Sequence, residues 1–539
     1  MGKNATLWPA KDTLPVPAHQ NIDAVRLWTD YAVWGLDIYD NQPTWFSVIE
    51  MILVITDRHR KGISLLAEMP LNESGAPAHE NVSYDIYYNH NLRHLMFRDQ
   101  DILPLSERNT TDQQALWSEW LSRYKKDFGD LELGYLQNAF AGDFNKFSEA
   151  VDLLRSAEVE PMHAKRWSSR HLLPIGDAVI FPDYQPTKNT LAGGLDRRFF
   201  RRTGELLFLM LSRASADLKA DLEPLLVERF FSDTNPWNAI ARKLQGPDAD
   251  LNSSPKISTS VGYLPYARLE RYDLLAEDWS NILRLRSIPL EDTLDYLMRM
   301  SSLNEIVYVV ERAAATCGMA RRPIFYLDMV GGAQGNHVRQ ASVENYKIHK
   351  GLTRKAIEAY IHSYVETPEW QAVGDSGPDC ETAKKLISDR FLFETSHTLA
   401  HPVRKEEQVK ELLEAAANRS HAIGSAFTAH ARQIGFLSLK QGVGGWYSPT
   451  DALLEALVIA NVNGITEFSL FLKRLYERYG MVIGSEEAKR ASNVLHAPGE
   501  TLVANERRFE ERLLVLGFID RKSDDCAFVV NPFHESNGK

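Results

Sequence analysis

Three runs of apolar residues at helical spacing, each followed by a glycine, fill the last hundred or so residues of the chain. The runs and their glycines are 453–458 with Gly464, 468–479 with Gly480, and 502–516 with Gly517. Apolar residues spaced in this way predict helices that bury one face, and a glycine just after the last turn is typical of a helix end. Short apolar segments at 518–519 and 527–530 then flank a polar turn, which predicts a β-hairpin. We therefore expect three helices and a hairpin.

This order of elements resembles a winged helix, and the resemblance covers Ile434–Phe533. A further short strand is expected at 435–439, before the first of the three helices. In a helix-turn-helix about three or four residues join the second and third helices, whereas here the interval is 481–500. The resemblance implies a domain that contacts either DNA or a partner protein.

Five basic residues of this region are placed to contact DNA. They are Arg507, Arg508 and Arg512 on the third helix, and Arg521 and Lys522 at the hairpin. Arginines on such a helix can reach phosphates or guanine edges. The stretch 505–512 also holds three glutamates beside its three arginines, so it is neutral, and DNA affinity depends strongly on phosphate neutralisation. The charges therefore favour a protein contact slightly over a DNA contact.

A second basic cluster surrounds two phenylalanines near the start of a helix expected over 195–214. Its members are Arg197, Arg198, Arg201 and Arg202. If the phenylalanines face a core, the arginines point to solvent, where they suit phosphate contacts. The alternative is a solvated helical face that pairs with acidic neighbours or docks a partner. We include both clusters in the predicted nucleic-acid interface.

The length of 539 residues exceeds what one hydrophobic core usually supports, so several domains are expected. Helical periodicity dominates and strand patterns such as 324–330 are short, which predicts a mainly α fold with small β elements, of the α+β type. Polar stretches at 245–261 and 371–378 predict linkers, and a charged helix is expected at 381–420. The expected divisions are a mainly helical N-terminal domain (1–185), a helical segment and linker (186–262), a middle α/β region (263–378), connecting helices (379–431) and the winged-helix-like domain (432–539).

The net charge of −11 argues against a protein that coats nucleic acid over much of its surface, but it permits a local basic patch. Three widely spaced cysteines, Cys317, Cys380 and Cys526, fit a reducing compartment and form no zinc motif. The first residues lack a secretion-signal pattern, and the apolar run 46–55 is too short to cross a bilayer. We therefore expect a cytoplasmic protein without a membrane partner.

Signals for metal or phosphate chemistry are weak. His90 with His94, and His397 with His401, have the spacing of metal ligands on one side of a helix, but neither first histidine precedes the glutamate of a zinc-protease motif. The glycine-rich Gly331–Asn336 follows a strand pattern but lacks the ending of a phosphate-binding loop. No nucleophile elbow occurs. We expect no catalytic residue, cofactor or metal; a metal-dependent hydrolase built on His90 and His94 is the remaining enzymatic alternative.

These observations together favour a non-enzymatic, DNA-associated subunit of a multi-protein bacterial DNA-handling or phage-defence system. Its expected partners are other protein subunits, such as a helicase, an ATPase or a nuclease, with DNA as a further candidate. The alternative is an interaction scaffold whose winged helix docks a partner protein rather than DNA, which the acidic total charge and the neutral third helix favour.

Overall fold

The computed structural model describes most of the chain, and helices dominate the described part. The described residues are 13–17, 25–35, 38–87, 90–108, 110–128, 133–159, 170–180, 184–187, 190–195, 200–245, 256–331, 337–491, 497–523 and 526–534. Helix accounts for 60% of the structure and strand for 9%, which confirms the prediction of a mainly α protein with small β elements.

Helices also dominate the N-terminal part, and a long connection over 61–82 precedes its strand. The elements are α1 (Val25–Val33), α2 (Thr44–Arg60), β1 (Ser83–Tyr87), α3 (His90–Phe97), α4 (Ile102–Ser106), α5 (Gln113–Phe128), α6 (Tyr135–Ala139) and α7 (Phe144–Arg155). Two tryptophans on one face of α5 meet two phenylalanines on one face of α7. Trp117 lies edge-on to Phe144 at 5.1 Å between ring centroids, and Trp120 lies 5.0 Å from Phe147. The aromatic richness of this region therefore serves a buried helix–helix contact.

Short antiparallel strand pairs alternate with helices over the next hundred residues. The elements are β2 (Glu158–Val159), β3 (His171–Leu172), β4 (Tyr184–Thr187), β5 (Thr190–Leu195), α8 (Thr203–Ser212), α9 (Ala216–Leu226), α10 (Pro236–Gln245) and β6 (Lys256–Ser260). The linker predicted over 245–261 is wrong at its C-terminal end, because β6 pairs with β1 from Ser83 opposite Ser260 onward. Polar, β-branched residues suit a strand that pairs along one edge only, so composition alone did not distinguish it from a linker.

The helix predicted over 195–214 begins later than expected. Residues 190–195 form β5, and α8 starts only at Thr203. Arg202 has a φ of 78°, in the left-handed region that a right-handed helix excludes, so the helix cannot extend through it. Within α8, Gly204 allows a close crossing with α2, because an added Cβ would lie 2.4 Å from the carbonyl oxygen of Ser47.

Long helices form the centre of the molecule. The elements are α11 (Glu270–Leu283), α12 (Leu290–Thr316), β7 (Phe325–Tyr326), α13 (His337–Val365), α14 (Pro368–Gln371), α15 (Gly377–Phe391) and α16 (Lys405–Gln433). The helix predicted over 381–420 is wrong as a single element: α15 ends where Leu392 adopts a left-handed φ of 55°, and α16 begins after Pro402. Helix α12 is buried along most of its length and contacts α2, α11, α13 and α16.

The C-terminal part contains the three predicted helices and the predicted hairpin. The elements are β8 (Leu437–Lys440), β9 (Gly444–Tyr447), α17 (Asp451–Asn461), β10 (Ile465–Glu467), α18 (Phe468–Tyr479), β11 (Met481–Val482), α19 (Ser485–Arg490), α20 (Gly499–Val515), β12 (Ile519–Ser523) and β13 (Cys526–Val530). Strands β10, β13 and β12 form a three-stranded sheet in that order. We call residues 451–530 the C-terminal unit.

The C-terminal unit shares a core with the rest of the chain. Helix α17 packs on α11 and α12, and β11 pairs in parallel with β7, with Met481 opposite Phe325. One cluster of buried side chains accordingly runs from Leu14 to Val529. In the described part of the long interval predicted between the second and third helices, the chain forms β11 and α19.

None of the helices in the described ranges is both long enough and apolar enough to cross a membrane.

Candidate functional site

Helix α20 carries three of the predicted DNA-binding arginines, and its buried face fixes their direction. Leu502, Phe509 and Leu513 are buried, as their spacing predicts. Phe509 lies between two rings of α18, at 5.8 Å from Phe468 and 6.2 Å from Phe471. Because this stripe faces inward, Arg507 and Arg508 lie towards solvent, whereas Arg512 flanks the buried stripe and its side chain is only 18% exposed.

Asn505 fastens α20 to the neighbouring strands. Its side-chain NH₂ group donates to the carbonyl oxygens of Leu327 and Ile483, each at 2.9 Å, and its Oδ1 accepts from the Met329 N–H at 2.7 Å. The sequence analysis did not identify this residue. An asparagine in line with the buried stripe, three residues after Leu502, is the signal that could have identified it, because a buried amide requires partners.

Every predicted DNA-contacting cation of the C-terminal unit has a carboxylate partner within the chain. The pairs are Arg507 with Glu511 (3.7 Å), Arg508 with Glu511 (3.1 Å), Arg512 with Asp451, Arg521 with Glu510, and Lys522 with Asp520 (2.6 Å). Exposed pairs of this kind are individually weak, so a phosphate could exchange with a carboxylate. Each neighbouring carboxylate would nevertheless repel that phosphate, and the net neutralisation that drives DNA affinity is small.

The exposed face of α20 combines these neutral pairs with apolar side chains. Val503 is 57% exposed and Leu514 47%, and the two flank Arg507 at spacings of four and seven residues along one stripe. Val515, at the end of the helix, is 86% exposed. Apolar groups beside arginine are typical of protein–protein contact surfaces. The surface therefore has the chemistry of a protein contact rather than of a phosphate contact.

The described arginines of the second predicted cluster contact other residues of the same chain. Arg197 and Arg198 lie outside the described residues. The guanidinium group of Arg201 lies over the Tyr39 ring, 5.0 Å from its centroid. Arg202 donates to Glu205 at 2.8 Å and to the Ser260 carbonyl oxygen at 2.7 Å. Both described arginines thus have intramolecular partners near the start of α8.

Buried carboxylates surround the start of α8 and have structural partners. Glu50 accepts from the backbone N–H groups of Arg202 and Gly204, at 3.1 and 2.9 Å, so a negative charge meets the positive end of the helix dipole. Glu205 accepts from the Tyr84 hydroxyl at 2.7 Å and from the Gly262 N–H at 2.7 Å. These contacts hold α2, α8 and the segment after β6 together.

A buried histidine–glutamate pair lies between α12 and α16. His430 Nδ1 is 2.9 Å from Glu305 Oε1, and its Nε2 faces the carbonyl oxygens of Tyr39 and Gln42 at 3.2 and 3.0 Å. Burial alone would lower the pKa of His430, but the Glu305 carboxylate and the two carbonyl oxygens outweigh it and raise that pKa above its usual value. The pair is therefore a charged link between two helices.

A second buried polar network joins α18 to α11 and α12. Asp278 accepts from the Tyr479 hydroxyl and from Asn304, both at 2.8 Å, and forms an ion pair with Arg478 at 2.5 Å. Burial raises the pKa of Asp278, and Arg478 is its main opposing influence. Arg478 and Tyr479 directly precede Gly480, which ends the helix. Nothing in that part of the sequence indicated that the two residues contact a buried carboxylate.

His349 lies at the back of a cavity of about 430 Å³ beside the segment before β7. Its Nε2 accepts from the Asn345 side chain at 3.3 Å, and its Nδ1 therefore donates to the Tyr447 hydroxyl at 2.8 Å. Burial lowers the pKa of His349 to about 3, so the ring is neutral at physiological pH. Both ring nitrogens serve contacts within the fold.

The structure places the two predicted histidine pairs differently, and it describes only the first residue of the glycine-rich loop. Helix α3 begins at His90, whose side chain lies outside the described part, and His94 is buried. His397 and His401 lie in the connection between α15 and α16 rather than on a helix, because Leu392 has already ended α15. Of the loop Gly331–Asn336, only Gly331 is described, and its N–H donates to Asp328 at 3.3 Å. Within the described ranges, no group of three or more His, Cys, Asp or Glu side chains could hold a metal ion.

Two comparisons with known proteins found no match. No family model matches the chain, and no curated protein matches its sequence at a significant level. The interpretation of its surfaces therefore rests on the geometry and charges of its own residues.

Proposed function

We propose that the protein is a non-enzymatic interaction subunit whose C-terminal unit docks a partner protein through the exposed face of α20. The observation that carries this proposal is the charge pairing of that face. Arg507 and Arg508 share the single carboxylate Glu511, and Arg512 and Arg521 each have an acidic partner. Neutral polar pairs beside exposed Val503 and Leu514 suit a protein surface better than a polyphosphate.

The order of elements supports a winged-helix-like character for the C-terminal unit. A helix, a short strand, two further helices and a hairpin follow one another, and the short strand β10 pairs with the second hairpin strand β13. The inserted β11 and α19 depart from the simplest helix-turn-helix, in which a short turn joins the second and third helices. A compact unit of this kind, anchored by Asn505, would present α20 as a rigid docking helix.

We also place this subunit in the cytoplasm, where expected partners such as a helicase, an ATPase or a nuclease would meet it. Cys317, Cys380 and Cys526 are free thiols, which supports a reducing compartment. A DNA-associated role within a multi-protein bacterial DNA-handling or phage-defence system is the second candidate function. It is favoured by one specific observation, a groove lined by lysines of α13 that have no ion-pair partner among the described residues; the groove lies outside the C-terminal unit.

The docking proposal is tested by affinity capture from the native host, with nuclease added to remove nucleic-acid bridges. The double substitution Val503→Asp with Leu514→Asp places two charges on the exposed stripe of α20. Leu399→Asp is the matched control, because Leu399 is an 88% exposed apolar residue in the connection between α15 and α16. We expect a stoichiometric partner with the unsubstituted protein and the control, and its loss with the double variant. Retention of the partner by the double variant would contradict docking through α20.

A further inference from the structure

A groove of about 870 Å³ lies between α13, α16 and the strand β9. Helix α13 contributes Lys347, Lys350 and Arg354, and Asn418 of α16 lies among the residues of the other wall. Gly444 and Gly445 of β9 close one end. Among the described residues that line this groove, the charged ones are all basic, and none is an aspartate or a glutamate. We call this feature the α13 groove.

The lysines of the α13 groove differ from the cations of α20 in having no carboxylate partner. Lys347 and Lys350 are exposed, and no ion pair joins either of them to an acidic side chain in the described part of the chain. Arg354 pairs with Glu358 one turn further along α13, at 2.8 Å, and both side chains are open to solvent. A surface with unpaired positive charges and no acidic lining attracts anions in spite of the protein's negative total charge.

Gly351 keeps the middle of the α13 groove open. It lies inside the 29-residue helix α13, where glycine costs about 1 kcal/mol of helix stability relative to alanine. No packing contact explains it, because a Cβ at this position would meet nothing within 4 Å. The missing side chain leaves free space between Lys350 and Arg354, on the surface that the basic residues line. Glycine at position 351 therefore lowers the stability of helix α13 and leaves the groove unobstructed.

We propose that the α13 groove binds the phosphodiester backbone of a nucleic-acid strand without reading its bases. Lys347 and Arg354 are seven residues apart, which corresponds to about 10 Å along a helix axis, a length that spans neighbouring phosphates of one strand. Among the described lining residues the aromatic one is Tyr346. It is buried and its hydroxyl contacts that of Thr428 at 2.9 Å, so it offers no exposed ring for base stacking.

An acidic peptide is the competing anionic ligand, and the lining disfavours it. Peptide recognition usually needs pockets for apolar anchor side chains. Apart from Ala417 and the buried Tyr346, the lining consists of glycines, polar residues and the three basic residues. This composition suits a uniformly charged backbone. No residue of α20 is among the described residues that line the groove, so this inference extends the second candidate function and does not depend on partner docking.

Fluorescence anisotropy with the purified full-length protein tests the inference over a salt series. The probes are labelled single-stranded DNA, the same sequence as RNA, and the DNA duplex, each in two unrelated sequences. Contacts of Lys347 and Lys350 with two phosphates predict a slope of log affinity against log salt of about −1.4 for single strands, and a steeper slope where a phosphate also displaces Glu358 from Arg354. We expect equal affinity for the two sequences. Absence of salt-dependent binding to all three probes would overturn the inference.

Matched lysine variants locate the binding surface. Lys347→Gln combined with Lys350→Gln removes two contacts, and the counterion effect predicts a loss on the order of 20-fold at 0.1 M salt and a slope less steep by about 1.4. Lys355→Gln is the control, because Lys355 is an exposed lysine of the same helix that does not line the groove. Equal losses of affinity from Lys355→Gln and from a single groove substitution, such as Lys350→Gln, would contradict a localised site.

Two substitutions of Gly351 separate blocking from unfolding. Gly351→Ala should keep binding within about twofold and raise the melting temperature, whereas Gly351→Glu should abolish binding while the far-UV circular dichroism spectrum is unchanged. Undiminished binding by the Gly351→Glu variant would overturn the proposal. Displacement of the strand by polyglutamate at equal charge concentration would instead assign the groove to acidic peptides. The result of the partner-capture experiment affects none of these outcomes, because the anisotropy assay contains no protein other than the purified chain.

Discussion

Replacing Asn505 tests how α20 is held against the rest of the molecule. Its side chain makes three hydrogen bonds to backbone groups, at Leu327, Met329 and Ile483, and it is fully buried. A buried polar group left without a partner costs about 1–3 kcal/mol. Asn505→Leu has similar volume but leaves all three backbone groups without this partner. Allowing for partial relaxation, we expect α20 to lose about 4 kcal/mol of local stability.

Hydrogen exchange followed by mass spectrometry measures this loss directly. Exchange of the α20 amides reports the local opening equilibrium, and 4 kcal/mol corresponds to roughly a thousandfold faster exchange. Asn505→Asp is the critical control at pH 8, because it keeps the size of the side chain while replacing its two N–H donors with an acceptor. We expect Asn505→Asp to accelerate exchange about as much as Asn505→Leu. Near-normal exchange in either variant would refute the hydrogen-bond argument.

Two further substitutions test buried contacts elsewhere. The folded-state pKa of His430 is raised, so its contribution to stability is present below the ordinary histidine value of about 6.5 and is lost as pH rises through the raised pKa. The gap in melting temperature between the unsubstituted protein and His430→Gln should therefore be larger at pH 6 than at pH 9; a gap independent of pH would exclude a charged pair with Glu305. Gly204→Ala should lower the free energy of unfolding by about 1–3 kcal/mol through overpacking against Ser47, and the melting temperature with it, whereas Gly351→Ala should not. Equal effects of the two alanines would contradict the close crossing of α2 and α8.

Local patterns predicted much of the helical structure. The apolar stripes of the three C-terminal helices gave their positions to within a few residues, because the burial of one helical face repeats every three to four residues. The start of α8 was not predictable in this way. The arginines around Phe199 and Phe200 have helical spacing, but Arg202 has a left-handed backbone and its guanidinium group contacts Ser260, 58 positions away, which the spacing did not indicate.

For the candidate surfaces, too, contacts between residues close in sequence could be predicted, and contacts between distant residues could not. The pairing of Arg507 and Arg508 with Glu511 spans three and four residues, so neutrality of the third helix could be predicted from spacing. The pairing of Arg512 with Asp451 joins residues 61 positions apart and needed the fold. The α13 groove was missed for the same reason, since Lys347 and Lys350 form a wall only where α16 and β9 face them.

The DNA affinity of the variant Arg507→Glu with Arg508→Glu tests the central claim most directly. Both arginines lie on the exposed face of α20, and both share Glu511 as their partner. If α20 docks a protein, this charge reversal should leave the affinity of the purified protein for duplex and single-stranded DNA within about twofold. If α20 contacts phosphates, two reversed charges should weaken binding by more than tenfold and reduce its salt dependence. The second result would contradict the account.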